Sequence, residues 1–282
     1  MKIFTLFCIA LLALGSVSCV KKTSRQQKPA AAAPVASAGL SRPLRNQGVT
    51  LPSGSLPPGT KLSYSSAPAP GPFIAITFDD GPVVPNTPRL LDMLAARGIK
   101  ATFFTVGYNV QRNPNIIRRI VAEGHEIANH TWTHGKLSGM SDGSVRSELQ
   151  RSHDALTGIS GVAPRMFRPP YGAITARQKQ WIMSEFGYPT ILWSVDPEDW
   201  RTRNAAMTRS RILSQTRPGA IILVHDIHAA SIDAMPGTLD GLLSKGFRFV
   251  TVSQLIGLSQ GGAPGAAPVA SVQGQSFTPG SF

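Results

Sequence analysis

The string Thr77-Phe78-Asp79-Asp80-Gly81-Pro82 sets two adjacent carboxylates behind an apolar run. Adjacent acids can divide their work, one ligating a metal while the other accepts a proton. Asp, Gly and Pro also build tight turns, so this string alone supports a turn as readily. Further on, Asn129-His130-Thr131-Trp132-Thr133-His134 carries two histidines four apart. On a helical turn that spacing puts both imidazoles on one face, within reach of one metal. Asp80, His130 and His134 together make three N/O ligands without sulfur. Three protein ligands leave a position for water or substrate, the pattern of catalytic rather than structural sites. In Arg168-Pro169-Pro170-Tyr171-Gly172 the prolines fix the backbone and the guanidinium suits a carboxylate partner. Asp196-Pro197-Glu198-Asp199-Trp200 and Leu223-Val224-His225-Asp226 complete the set.

These strings share a context. Phe73–Phe78 is apolar, β-branched and aromatic, and predicts a buried strand. Residues 87–97 follow with Leu90, Leu91 and Leu94 on one helical face, closed by Gly98. Further strands are predicted at 101–106, 125–128, 190–195, 220–224 and 247–252, with a strand end near Phe167. Helices are predicted at 115–122, 145–156 and 176–185. Strand–helix alternation of this kind predicts an α/β fold with a parallel sheet or barrel of about seven strands. In such folds chemistry gathers where strands end, and each polar string above follows a predicted strand.

The domain is framed by two tails. Lys2, the apolar run Ile3–Leu14 and small residues up to Cys19 read as an export signal over residues 1–19, too short for a membrane span. Cys19 lies where a lipoprotein signal places its lipidated cysteine, although Ser16 stands where Leu is usual. Ser16-Val17-Ser18 also suits ordinary signal cleavage. Residues 20–72 are rich in Pro, Ala, Ser and Gly and read as an extended basic linker, and residues 259–282 read as a disordered tail. This leaves 73–258 for the folded domain.

Composition narrows the function classes. Cys8 and Cys19 are the only cysteines among 282 residues, which excludes a disulfide framework, a thiolate zinc site or a cysteine nucleophile from the folded body. The net charge of +13 invites a nucleic-acid partner. However, residues 1–70 hold eight of the 28 basic side chains and none of the 15 acids. The excess therefore belongs largely to the linker, and export separates the chain from nucleic acid. Nothing in the sequence marks an obligate protein partner.

The five strings, in this order, resemble the motifs of the NodB-homology polysaccharide deacetylases, carbohydrate esterase family four, over residues 73–256. The resemblance implies a distorted (β/α) barrel with fewer strands than the eightfold type. It implies Asp80, His130 and His134 as ligands of a divalent metal, zinc first, with cobalt or nickel as alternatives. It further implies Asp79 as general base oriented by Arg168, and His225 as general acid paired with Asp199. The Tyr171 backbone N–H would serve as an oxyanion donor, with Trp200 and Leu223 lining an acetyl pocket. The expected reaction releases acetate from an N-acetylated glycan of a bacterial envelope, peptidoglycan N-acetylglucosamine or N-acetylmuramic acid first. Chitin oligomers and exopolysaccharide are alternatives, and some relatives cleave other amides or the acetyl esters of xylan. A non-catalytic glycan binder on the same fold is the competing class. It would be expected to have lost a base, acid or ligand, and none is missing here.

Overall fold

The computed structural model describes residues 44–46 and 56–261. The expected export signal, Cys19, most of the expected linker and the tail beyond 261 lie outside the described residues.

Among the described residues there are seven strands: β1 (Ser63–Tyr64), β2 (Phe73–Asp79), β3 (Thr102–Thr105), β4 (Glu126–Asn129), β5 (Thr190–Ile191), β6 (Ile221–His225) and β7 (Arg248–Phe249). All strand pairs are parallel. β2 is central. It pairs along its second half with β3 on one side and along most of its length with β6, while β7 meets its first two residues. Every residue of β2 is buried, as a strand covered on both faces requires, and this accounts for its unbroken apolar run. β4 extends the sheet beyond β3.

The ring then closes through single bridges. Phe167 links Asn129 of β4 to Thr190 of β5, and Val195 joins Ile222 of β6. The result is a distorted (β/α) barrel. Three predicted strands are shorter than expected, the one at 247–252 being reduced to Arg248–Phe249. The segment before Arg168 contributes one bridging residue, and β5 stops after Ile191 because the chain bends to pass Leu192 to β1 and Val195 to β6.

Helices cross between the strands on the outside. Asn86–Arg97 buries Leu90, Leu91 and Leu94 and ends at Gly98, whose φ of 64° is left-handed. Asp142–Ser160 begins at Ser141, whose side chain accepts the Ser144 N–H. Ala176–Phe186 starts with a capping box between Thr175 and Gln178.

One expectation needs correcting. Residues 56–72, read as linker, are partly built into the domain. β1 lies beside β5, and Tyr64 and Ala67 are buried in an apolar cluster with Phe73, Ile191 and Val250. Leu56 and Ala69 pack against the same cluster, and burying these apolar side chains of a Pro/Ser-rich stretch offsets the cost of ordering it.

Candidate active site

Every predicted site residue within the described part of the chain lies at the carboxyl end of the barrel. Asp79 is the last residue of β2 and His225 the last of β6, while His130 follows β4 and Arg168 follows the Phe167 bridge.

Asp79 is 2% exposed. Its Oδ1 accepts a hydrogen bond from Arg168 Nη1 at 2.6 Å. Arg168 is itself fully buried, and each of its three nitrogens donates a hydrogen bond. Nη1 also reaches Thr77 Oγ1, Nε reaches the Ile191 carbonyl and Nη2 the Leu192 carbonyl. Its guanidinium lies 4.0 Å from the centre of the Phe104 ring. Burial pulls the Arg168 pKa down, opposed by the charge and hydrogen bond of Asp79. A cation so enclosed holds its carboxylate in one place.

Asp80 follows with φ of 77°, a left-handed value that turns its carboxylate away from the strand direction. Its Oδ1 lies 3.3 Å from His130 Nε2 and 3.1 Å from His134 Nε2. The three ligand atoms lie within 4.8 Å of one another. His130 Nδ1 is 2.7 Å from the Arg168 carbonyl oxygen. A carbonyl only accepts, so Nδ1 carries the proton and Nε2 can present a lone pair to the site. Burial raises the Asp80 pKa, but the neighbouring imidazoles of His130 and His134 outweigh it and hold the carboxylate far below its usual range. Asp80 Oδ1 is a buried oxygen to which no protein group donates a proper hydrogen bond. An ionised carboxylate and two imidazole nitrogens converging in this way fit a divalent cation.

The two histidines do not stand on a helical turn, as their spacing predicts. They bracket an irregular loop in which Thr131 and His134 both have positive φ, 66° and 63°. The loop is held from three sides. Asn129 Oδ1 accepts the Thr131 N–H, Thr131 Oγ1 accepts the His134 N–H, and the Glu148 carboxylate accepts the N–H groups of Trp132 and Thr133. Neither Asn129 nor Glu148 stands out in the sequence as part of a site. A signal for Glu148 exists nonetheless. It shares the inner face of its helix with Val145, Leu149, Ser152 and Leu156, and an acid in such a place needs partners.

His225 meets Asp199 twice. Its Nδ1 lies 2.8 Å from Asp199 Oδ1, and its backbone N–H donates to Oδ2 at 2.9 Å. Ser231 Oγ donates to the same Oδ2 at 2.5 Å. Burial lowers the His225 pKa, but the hydrogen bond and charge of Asp199, with Asp79 and Asp80 adding, lift it to about 9. For Asp199 burial raises the pKa, and His225 and Ser231 more than reverse this.

One cavity of about 440 Å³ is lined by Asp79, Asp80, His130, His134, Tyr171 and His225, with Trp200 and Leu223 as apolar walls. Pro169, Trp193 and Asp196 also line it, and of these Trp193 falls in no motif read from the sequence. The Tyr171 ring packs edge-on against His134 with centroids 4.8 Å apart, and its φ is 61°.

The family model for polysaccharide deacetylase matches residues 66–191, a span that includes Asp79 to Arg168 and stops short of Asp199 and His225. The chain is 40% identical over 184 residues to a peptidoglycan-N-acetylglucosamine deacetylase, PgdA, of Listeria monocytogenes. That match covers 65% of this chain and 39% of the relative's length. It is 39% identical over 182 residues to a peptidoglycan-N-acetylmuramic acid deacetylase, PdaC, of Bacillus subtilis, covering 64% of this chain and 38% of the relative. The chain thus spans well under half of these two proteins. Among solved structures, a peptidoglycan N-acetylglucosamine deacetylase in complex with an N-hydroxybenzamide superposes with a TM-score of 0.65 at 36% identity. The superposition covers 67% of this chain and 90% of that one. Sequence match and shared barrel agree that the chain belongs to the polysaccharide deacetylase family, family four of the carbohydrate esterases.

Proposed function

We propose that this domain hydrolyses N-acetyl groups on peptidoglycan amino sugars, N-acetylglucosamine first, releasing acetate and a free amine. One observation carries the reading. A carboxylate paired with a buried arginine and an imidazole paired with a buried carboxylate line the same cavity as the Asp80, His130 and His134 trio.

A divalent cation held by those three would supply Lewis acidity, acidifying water and polarising the amide carbonyl. Zinc suits two imidazoles and a carboxylate, and cobalt or nickel fits the same donors. Asp79 accepts the proton of the attacking water while Arg168 keeps its carboxylate oriented. His225, protonated through its pairing with Asp199, gives a proton to the leaving nitrogen, without which an amine departs poorly. The Tyr171 backbone N–H would stabilise the developing oxyanion, and Trp200 and Leu223 would enclose the acetyl methyl.

The envelope setting rests on the relatives, whose names refer to peptidoglycan, and on the export signal. Lipidation at Cys19 would anchor the chain, and the basic linker suits an anionic surface. Among the described residues no helix is long and apolar enough to cross a membrane.

The test is acetate release from purified N-acetylated peptidoglycan and from chitin oligomers. Activity on peptidoglycan that is abolished by a chelator and restored by zinc is the expected result. No acetate from any N-acetylated glycan in the metal-loaded enzyme would overturn the reading.

A further inference from the structure

We infer that Glu148 is a positioning residue for the metal ligand His134, acting through the main chain of the loop between the two histidines. The inference rests on the reading of Asp80, His130 and His134 as a metal site.

His130 and His134 are held in different ways. His130 follows β4 directly, its backbone N–H donates to the Thr105 carbonyl of β3, and its ring is fixed by the Arg168 carbonyl. The sheet therefore places it. His134 has no strand beneath it and sits at the far end of a loop with two left-handed, non-glycine residues, conformations that persist only where the surroundings enforce them. Glu148 supplies that enforcement. Its Oε2 accepts the N–H groups of Trp132 at 2.9 Å and Thr133 at 2.7 Å, and its Oε1 accepts from Thr133 Oγ1 at 2.9 Å. Three donors from two consecutive residues leave the loop little room to turn.

Glu148 is anchored in its own right. Its helix is packed into the domain through Val145, Leu149 and Leu156, and the Leu149 carbonyl receives a hydrogen bond from Asn129 at the end of β4. One turn along, Arg151 lies 4.3 Å over the Trp132 ring, so the same helix grips the loop at a second point. Glu148 does not line the catalytic cavity, so it touches neither substrate nor metal. Its influence passes through His134, which it holds within 3.1 Å of Asp80.

Outer groups that orient metal ligands typically contribute about 10–100-fold to affinity. Zinc and cobalt(II) affinities are to be measured by competition with a chromophoric chelator, alongside thermal melting. Glu148→Leu removes all three acceptor contacts and should weaken metal binding by about 10–100-fold. Glu148→Gln keeps an oxygen for the paired N–H groups and should stay within about threefold of wild type, because charge is not what the loop requires. Val145→Ala loosens the same helix without touching the loop and should lower the melting temperature while leaving metal affinity unchanged.

Wild-type affinity in Glu148→Leu overturns the assignment. So does a loss in Glu148→Gln equal to that in Glu148→Leu, or a loss in Val145→Ala matching it at equal loss of stability. If Glu148→Leu does not fold, Glu148→Asp decides instead. Its shortened reach should weaken binding, and unchanged binding overturns the assignment. A wild-type chain that binds no metal would defeat the metal-site reading and this inference with it, whereas the variant outcomes bear on Glu148 alone.

Discussion

Asp79 and His225 are register partners on adjacent parallel strands, the last residues of β2 and β6. Partners in a parallel pair project to the same face, so the sheet alone delivers a carboxylate and an imidazole to one cavity. Each then takes an opposite charge from elsewhere in the chain, Arg168 for Asp79 and Asp199 for His225. In the proposed mechanism the first takes a proton from water and the second gives one to the leaving nitrogen. Separation of roles between adjacent titratable groups is the arrangement that acid–base hydrolysis requires.

The Asp199–His225 pair predicts a pH signature. His225 is lifted to about 9, so it should remain a competent acid well above neutrality. Asp199→Asn removes the largest raising influence. The alkaline limb of kcat/KM should move to lower pH, and an unmoved limb would show that His225 is not the group it reports.

The same pair has a stability window with a definite sign. The His225 pKa is raised on folding, so its contribution is complete below about 6.5 and is lost as pH rises through about 9. The Asp199 pKa is lowered, so its contribution is present above the ordinary carboxylate value and is lost as pH falls below it. The melting-temperature gap between wild type and Asp199→Asn should therefore be widest between these limits and narrow on both sides. A gap independent of pH would contradict the pairing.

A tight fit behind the two acids predicts a non-additive pair of substitutions. A Cβ on Gly81 would stand 2.3 Å from both carboxylate oxygens of the buried Asp226. Gly81→Ala should therefore displace the Asp79–Asp80 turn and destabilise the domain by about 1–3 kcal/mol, as overpacking does. Combining it with Asp226→Ala makes room, and the double variant should be less destabilised than the two single costs predict. Strict additivity in urea unfolding would refute this account of why glycine stands at 81.

Most of the site could be read in the sequence because its groups have unusual side-chain chemistry at strand ends. Asp79, Asp80, His130, His134, Arg168, Asp199 and His225 all fall in such strings, and all but Arg168 and Asp199 directly line the cavity. What holds them in place was far less legible. Glu148 accepts from backbone N–H groups, which are the same in every residue and leave no mark in the sequence. The loop it stabilises imitates a helical turn by spacing alone, yet Thr131 and His134 take left-handed φ values. Among the strands, β2 was clear because it is buried throughout. β1 was not, because pairing over two residues gives no periodicity to detect.

The buried cation should be intolerant of even a conservative change. Arg168 satisfies Asp79, Thr77 and two carbonyls from one planar group. Lysine has a single ammonium and cannot reach all four. Arg168→Lys should cost about 2–4 kcal/mol in unfolding, because buried acceptors are left unpaired. It should also lower kcat as Asp79 loses its fixed orientation. Stability within error of wild type would mean that the four hydrogen bonds contribute little.

The separate roles of Asp79 and His225 can be told apart by the leaving group. Asp79→Asn keeps shape and an oxygen for Arg168, but an amide accepts no proton at neutral pH. Turnover should fall by about 10²–10⁴-fold, the usual worth of a general base, with metal retained. The loss should be similar for an N-acetyl amide and an activated aryl acetate, since both need an activated water. His225→Ala should slow amide cleavage strongly, because an amine must be protonated to leave. An aryl oxide leaves readily without a proton, so this variant should keep a much larger fraction of its activity on the ester. Equal proportional losses on both substrates would remove His225 as the general acid. It would then act as a positioning residue, and Asp79, having taken the proton from water, would be the remaining group able to return it to nitrogen.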